Sequence, residues 1–248
     1  MKPAILIPHY NHAASLGPVL DGLAAHGLPC LIVDDGSDAA DRARLTGLAA
    51  SRPWIEIETL PENRGRGAAL RHGYEAAARR GFSHVVQLDA DGQHDPADVP
   101  KFLAVARDHA GALVLGVPRF DDSAPWARYY GRRVSTFWVA VETLSRVIPD
   151  ALCGFRCLPL APTLAVLRHR PLGDRMEFDP ALVVALVWAG VPVATVSTRV
   201  RYRRDGISHF QPWRDNVRIS AMHTRLVFGM LARVPTLLRR RPVVVRRA

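Results

Sequence analysis

The chain has 248 residues, of which 48% are hydrophobic and 23% charged, a composition that excludes an intrinsically disordered or fibrous protein. Its 33 Lys and Arg against 23 Asp and Glu give a formal net charge of +10, which favours anionic partners. The three cysteines share no metal-ligand spacing, so we expect reduced thiols and a cytoplasmic protein. The apolar stretches are too short for a signal peptide or a transmembrane helix, which predicts a soluble or peripheral protein.

Short β-branched segments alternate with segments of helical periodicity in the first half of the chain. The predicted strands lie at residues 4–7, 29–33, 54–59, 84–88 and 112–117, and the predicted helices at 13–26, 41–50, 67–80 and 100–109. This alternation predicts an α/β fold with a mostly parallel sheet and helices on both faces. Further on, we expect helices at 126–148, 181–189 and 215–238, a strand or turn at 153–158 and a strand at 191–202.

Carboxylates follow two of the predicted strands. Asp89 and Asp91 come directly after residues 84–88, and both can face one Mg²⁺ or Mn²⁺ ion. An Asx-type turn is the alternative explanation, because Asp-Gly pairs initiate turns. Asp34 and Asp35 follow the second strand and can accept hydrogen bonds from a nucleoside, although an N-cap at Ser37 or Asp38 explains part of this loop.

The loop at residues 63–67 opens a helix with small and cationic residues, which is a typical anion site. Its two glycines resemble part of a dinucleotide-binding fingerprint. Leu70 occupies the position of the third glycine, however, and the loop does not follow the first strand. We therefore do not expect a dinucleotide-dependent dehydrogenase.

The ordered set of these loops resembles glycosyltransferase family 2, and within it the dolichyl- or polyprenyl-phosphate sugar synthases. The matching segments are residues 7–11, 33–37, 63–69, 89–94, 153–156 and 204–208. The resemblance covers about the first 210 residues and implies a GT-A fold. It also implies an inverting transfer of a sugar from a nucleotide-diphosphate sugar to a polyprenyl-phosphate or glycolipid acceptor.

The resemblance also implies roles for individual residues. The metal ligands would be Asp89, Asp91 and Gln93, and a catalytic base, if one is needed, would be Glu177 or Asp179. The nucleotide and donor would contact Pro8, Tyr10, Asn11, Asp34, Asp35, Arg66 and Ala90. The candidates for binding phosphates are Arg119, Arg132, Arg133, Arg156, Arg203, Arg204 and Ser208.

The chain departs from this branch at two points. His12 stands where relatives often have an acidic residue, and we expect none of the C-terminal transmembrane helices that relatives can carry. A sugar hydroxyl acceptor needs a base, whereas an ionised lipid phosphate needs none. The helix N-terminus before Pro180 offers another explanation for Glu177 and Asp179.

We expect one GT-A domain over residues 1–210 and a basic amphipathic C-terminal segment over 211–248. An amphipathic helix rich in arginine can lie at the headgroups of an anionic bilayer, here at the cytoplasmic face, or can pack on the core. Nucleic acid is not an expected partner, because no basic motif is interleaved with aromatic residues. A nucleotidyltransferase and a non-catalytic membrane- or partner-binding module are the alternative functions.

Overall fold

The computed structural model describes residues 1–120, 126–201, 211–240 and 242–247. The first half contains β1 (Pro3–His9), α1 (Ala13–Ala24), β2 (Cys30–Asp34), α2 (Ala39–Ala50), β3 (Ile55–Thr59), α3 (Arg66–Arg79), β4 (His84–Gln87), a 3-10 turn (Pro96–Asp98), α4 (Val99–Asp108) and β5 (Leu113–Phe120). The second half contains α5 (Trp126–Glu142), β6 (Arg156–Pro159), α6 (Leu160–His169), α7 (Phe178–Trp188), β7 (Val193–Val200), α8 (Pro212–Leu231), α9 (Val234–Arg239) and β8 (Val244–Arg247).

The strands form one sheet in the order β3-β2-β1-β4-β6-β5-β7-β8. β6 runs antiparallel to β4 and β5, and the other described neighbours pair in parallel. The carboxyl ends of β1, β2 and β4 therefore lie at the same edge of the sheet. Because β6 is reversed, its first residue, Arg156, pairs with Gln87 near that edge as well.

Hydrophobic clusters cover both faces of the sheet. Ile5 and Leu6 point to opposite faces, as neighbouring strand residues must, and each belongs to a different cluster. One cluster includes side chains of α3 and α7, and the other includes side chains of α1 and α4. Residues 178–187 of α7 are all buried, so this helix lies in the interior. The predicted α/β architecture is confirmed.

The predicted elements of the first half match the structure closely, including the end of α3, where Gly81 adopts φ 75°. In the second half, α5 ends at Glu142, six residues before the predicted end, and Leu144 has a left-handed φ of 48°. The predicted helix at 215–238 is divided into α8 and α9, with Pro235 in the first turn of α9. The sequence analysis missed α6 and β8.

In the described ranges, we found no helix that is both long and apolar enough to cross a membrane. All three cysteines are buried free thiols, as predicted.

Candidate active site

Five carboxylates at the carboxyl edge of the sheet form a group that we call the acidic edge, defined by Asp34, Asp35, Asp89, Asp91 and Asp179. Asp34 is the last residue of β2 and Asp35 follows it, Asp89 and Asp91 follow β4, and Asp179 lies in the first turn of α7. The site residues implied by the resemblance thus come from chain segments that are far apart in sequence.

Arg66, the first residue of α3, joins two of these carboxylates. Its Nη2 lies 2.6 Å from Asp89 Oδ1, and its Nε donates to Asp179 Oδ2 at 2.7 Å. Burial alone would lower the pKa of Arg66, but the charges of Asp89 and Asp179 raise that pKa above its usual range. Arg66 is therefore a fixed positive charge between the two acids.

Asp179 is held from its other side by Arg156. Arg156 Nη1 lies 3.0 Å from Asp179 Oδ1, and Gln87 Nε2 donates to the same oxygen at 3.4 Å. Burial would raise the pKa of Asp179, but the two arginines outweigh burial and lower it. Because both oxygens of Asp179 are engaged by cations, this carboxylate is poorly placed to act as the general base that the sequence analysis considered.

Arg156 lies inside the protein, with no exposed side-chain surface. Its guanidinium also donates to the carbonyl oxygens of Cys153 at 2.9 Å and Ala151 at 2.8 Å. In this arrangement Arg156 supports Asp179 and cannot reach a phosphate at the surface, in contrast to the sequence-based expectation.

The second oxygen of Asp89 also faces the protein. A Cβ atom at Gly154 would stand 2.3 Å from Asp89 Oδ2, so only glycine fits beside this carboxylate. His94 Nε2 lies 3.8 Å from the same oxygen, and burial lowers the pKa of His94, which favours a neutral ring. The sequence analysis quoted both residues within motifs but gave neither a role, because their distance from Asp89 depends on the fold.

Asp91 shapes the loop after β4. Its Oδ1 accepts a hydrogen bond from Gln93 N at 3.0 Å, which is the Asx-type turn that was the alternative explanation. The loop is fixed to β7 by a hydrogen bond from Arg201 N to Gln93 O at 3.0 Å. Ala90 is buried, and its carbonyl accepts from Ser15 Oγ at 3.3 Å.

The carboxylates of the loop after β4 could provide some, but not all, of the ligands of a divalent cation. The described residues hold no group of three or more His, Cys, Asp and Glu side chains arranged around one metal position. Mg²⁺ commonly binds through one or two carboxylates together with substrate phosphates and water. Asp89 and Asp91, on either side of Ala90, suit a cation of that kind, which would be completed by a diphosphate.

Asp35 holds the loop before α3. Its two oxygens accept hydrogen bonds from Arg64 N at 2.9 Å and from Gly65 N at 2.7 Å, and burial raises its pKa. A Cβ atom at Gly67 would stand 2.5 Å from the side chain of Phe178, which explains this glycine by helix packing. Asp35, which the sequence analysis expected to contact the nucleotide, therefore also stabilises the loop before α3.

Asp34 is fully buried at the end of β2. Its Oδ1 accepts from Ser37 N at 3.2 Å and lies 3.3 Å from His9 Nδ1. Although burial would raise the pKa of Asp34, these hydrogen bonds lower it. Asn11 has a left-handed φ of 51°, and its side chain accepts from Asp38 N at 3.0 Å.

Pro8 and Tyr10 flank the end of β1. Pro8 is buried, and Tyr10 is partly exposed. Glu177, the other candidate base, is also buried, and within the described chain its Oε2 has no hydrogen-bond partner. Its role as a base stays a prediction.

The remaining arginine candidates lie on β5 and α5. Arg119 is exposed and pairs in register with Arg199 of β7, and both line one depression with Lys101 of α4. Arg132 Nη1 lies 2.6 Å from Asp150 Oδ2, and Arg133 is exposed. Arg203, Arg204 and Ser208 lie outside the described residues.

Comparisons with known proteins bear on the family of the chain. Residues 4–175 match the family model "Glycosyl transferase family 2". The polyprenol monophosphomannose synthase of Mycolicibacterium smegmatis is 34% identical over 119 residues, which are 46% of this chain and 44% of that protein. The undecaprenyl-phosphate 4-deoxy-4-formamido-L-arabinose transferase of Pseudomonas savastanoi pv. phaseolicola is 31% identical over 190 residues, which are 72% of this chain and 52% of that protein.

Among solved structures, a mannosyltransferase from Pyrobaculum calidifontis in complex with GDP-Man and Mn²⁺ matches with a TM-score of 0.60 and 19% identity. The match covers 94% of this chain and 64% of that chain, and it supports the expected GT-A fold. This chain spans about half the length of the two curated relatives named above. Since the family model matches well over half of the sequence, the chain belongs to glycosyltransferase family 2.

Proposed function

We propose that this enzyme transfers a sugar from a nucleotide-diphosphate donor to a polyprenyl-phosphate acceptor at the cytoplasmic face of a membrane. The observation that carries the proposal is the acidic edge, where Asp89 contacts Arg66 at the N-terminus of α3 and Asp91 follows in the same loop. The names of the two curated relatives support the choice of acceptor.

The donor diphosphate is the ligand that best explains the charges at this edge. The N-terminus of α3 carries partial positive charge, and Arg66 adds a cation there, although Ala68 N of the first turn already donates to Asp174 O at 3.1 Å. Asp89 and Asp91 would hold Mg²⁺ or Mn²⁺. When bound, this ion supplies positive charge that stabilises the diphosphate as it leaves. Asp35 orients the loop before α3 through the N–H groups of Arg64 and Gly65.

The ion pairs of Asp179 and the burial of Glu177 favour an acceptor that needs no catalytic base, such as a phosphate. Asp179 is ionised but held by Arg66 and Arg156, and Glu177 is buried. A phosphate oxygen is already ionised at neutral pH, so it can attack the anomeric carbon directly, with the diphosphate departing from the opposite side. No proton has to be removed in that step.

Arg119 and Arg199 provide a place for the acceptor phosphate. They are register partners on adjacent strands, and in the described part of the chain neither forms an ion pair. Two adjacent like charges repel each other, and an anion between them relieves that repulsion. We therefore propose that the acceptor phosphate binds between these two arginines, in a depression that Lys101, Asp95 and Asp98 also line, where Lys101 is paired with Asp98.

The direct test is a transfer assay with Mn²⁺, UDP- and GDP-linked sugars, and a short polyprenyl phosphate in detergent. We expect a polyprenyl-phosphate sugar, detected by mass spectrometry, and no product when the matching polyprenol replaces the phosphate. Transfer to the alcohol but not to the phosphate would contradict the proposed acceptor.

A further inference from the structure

The outer surfaces of α5 and α8 expose large apolar side chains next to each other. We call this surface the α5–α8 face and define it by Tyr130, Val134, Phe137, Trp213, Phe228 and Leu231. These side chains are between 55% and 82% exposed. Exposed apolar patches of this kind on a globular protein indicate an interaction site.

The two helices present these residues because their opposite faces are committed to the core. Met222, Leu226 and Met230 of α8 are buried, and so is Val139 of α5. At about 100° per residue, the exposed apolar side chains of each helix lie roughly opposite the buried ones. The sequence analysis treated core packing and membrane contact as alternatives for the C-terminal helix, whereas the structure gives α8 two separate apolar faces.

A buried contact fixes α8 against α5. Glu142 Oε1 of α5 lies 2.6 Å from His223 Nδ1 of α8, and Ser135 Oγ lies 3.5 Å from the other ring nitrogen of His223. Because these contacts hold the helices side by side, their outward faces belong to one surface.

The charges around the α5–α8 face have one sign. The exposed charged residues described on α5, α8 and α9, together with the residue that follows α9, are Arg133, Arg214, Arg218, Arg225, Arg239 and Arg240. The carboxylates of these helices, Glu142 and Asp215, are both buried. Arg218 Nη1 lies 3.4 Å from Asp215 Oδ1, so one of these arginines has a nearby carboxylate. The surface still combines apolar side chains with exposed charged groups that are all positive.

We infer that the α5–α8 face docks on an anionic lipid bilayer. Aromatic side chains suit the interface between headgroups and acyl chains, and arginines are attracted to anionic headgroups. A symmetric contact with a second copy of the chain would bring two positively charged surfaces together, which disfavours that occupant. This inference deepens the proposed function, because it names the surface that would meet the membrane containing the acceptor.

The test is co-sedimentation of the full chain with vesicles of phosphatidylcholine, with and without 30% phosphatidylglycerol. We expect binding to the anionic vesicles that weakens as salt is raised. Phe137→Glu combined with Phe228→Glu should reduce the partition coefficient at least tenfold. The matched control, Ala43→Glu with Thr46→Glu, adds the same charge at exposed positions of α2, which packs on the other face of the sheet, and should bind like the wild type.

Calorimetry with donor nucleotide separates this inference from the proposed function. The Phe137→Glu, Phe228→Glu variant should bind nucleotide like the wild type while losing the vesicles. Wild-type binding to vesicles without nucleotide binding would contradict the proposed function alone. The docking inference would be overturned if the wild type failed to bind anionic vesicles, or if the variant bound them as well as the wild type. It would also be overturned if light scattering showed a dimer of the wild type that the variant dissociates.

Discussion

The acidic edge and the α5–α8 face differ in how their charged side chains are arranged. At the acidic edge, Asp89 and Asp179 are both paired with Arg66, and all three side chains are partly shielded from solvent. On the α5–α8 face, arginines stand exposed among apolar side chains, and the carboxylates of the same helices are inside. The first arrangement suits a small, highly charged ligand held in defined geometry, and the second suits a broad, anionic and partly apolar surface.

Loss of a carboxylate from the acidic edge should have the largest effect. We expect Asp89→Ala to lower turnover by about a thousandfold or more, because charge stabilisation of the leaving diphosphate contributes several kcal/mol. The measurement is product formation at saturating donor, with circular dichroism to confirm folding. Substantial residual turnover in a folded variant would mean that Asp89 is outside the reaction centre.

Gly154 offers a subtler way to disturb the same carboxylate. A methyl group at this position would collide with Asp89 Oδ2, so we expect Gly154→Ala to reduce turnover by roughly ten- to a hundredfold through displacement of Asp89. Gly111→Ala is the matched control, since a Cβ atom there meets nothing within 4 Å. Equal activity of the two variants would argue against a tight packing of Asp89 on Gly154.

Arg66 should compete with a cation for Asp89. Arg66→Met removes the guanidinium from Asp89 Oδ1, so we expect Mn²⁺ alone to bind about tenfold more tightly in calorimetry. Arg71→Met, on the same helix, breaks a 2.7 Å ion pair with Asp174 and should leave Mn²⁺ affinity unchanged. Weaker Mn²⁺ binding by Arg66→Met would show that this arginine assists metal binding.

The ion pairs of Asp179 should also appear in the pH dependence of stability. Its pKa is lowered in the folded protein, so its stabilising contribution is complete above the unfolded value of about 3.9 and is lost as pH falls through the folded value. We expect the difference in unfolding free energy between wild type and Asp179→Asn to be constant above about pH 5 and to shrink below about pH 4. Urea denaturation at several pH values measures it, and a difference that grows on acidification would contradict the assignment.

The two regions also differ in how far the sequence predicted them. The positions of Asp89 and Asp91 follow from a short buried strand and the parallel sheet, which local patterns indicate well. The pairing of Arg66 with Asp179 joins residues 113 positions apart, and no local pattern contains it. The sequence analysis expected Arg156 to bind phosphate. Its burial could not be predicted locally, because Arg156 lies on β6, which pairs antiparallel with β4.

The α5–α8 face was predicted only in part. The predicted amphipathic segment at 211–248 contains Met222, Leu226 and Leu231, but helical periodicity cannot show which of these side chains the core covers. The structure buries the first two and exposes the third, because α8 packs on α5 and the core along a narrower line. The contribution of α5 to the face could not be predicted without that packing.

The most direct test of the central claim is calorimetric binding of UDP and GDP, with and without Mn²⁺, to the wild type and to Asp91→Ala. We predict that one of the two nucleotides binds the wild type in a manner that depends on Mn²⁺, and that Asp91→Ala loses this binding while it stays folded. Failure of both nucleotides to bind the wild type, or binding that neither Mn²⁺ nor Asp91 affects, would contradict the assignment of the acidic edge as the donor site.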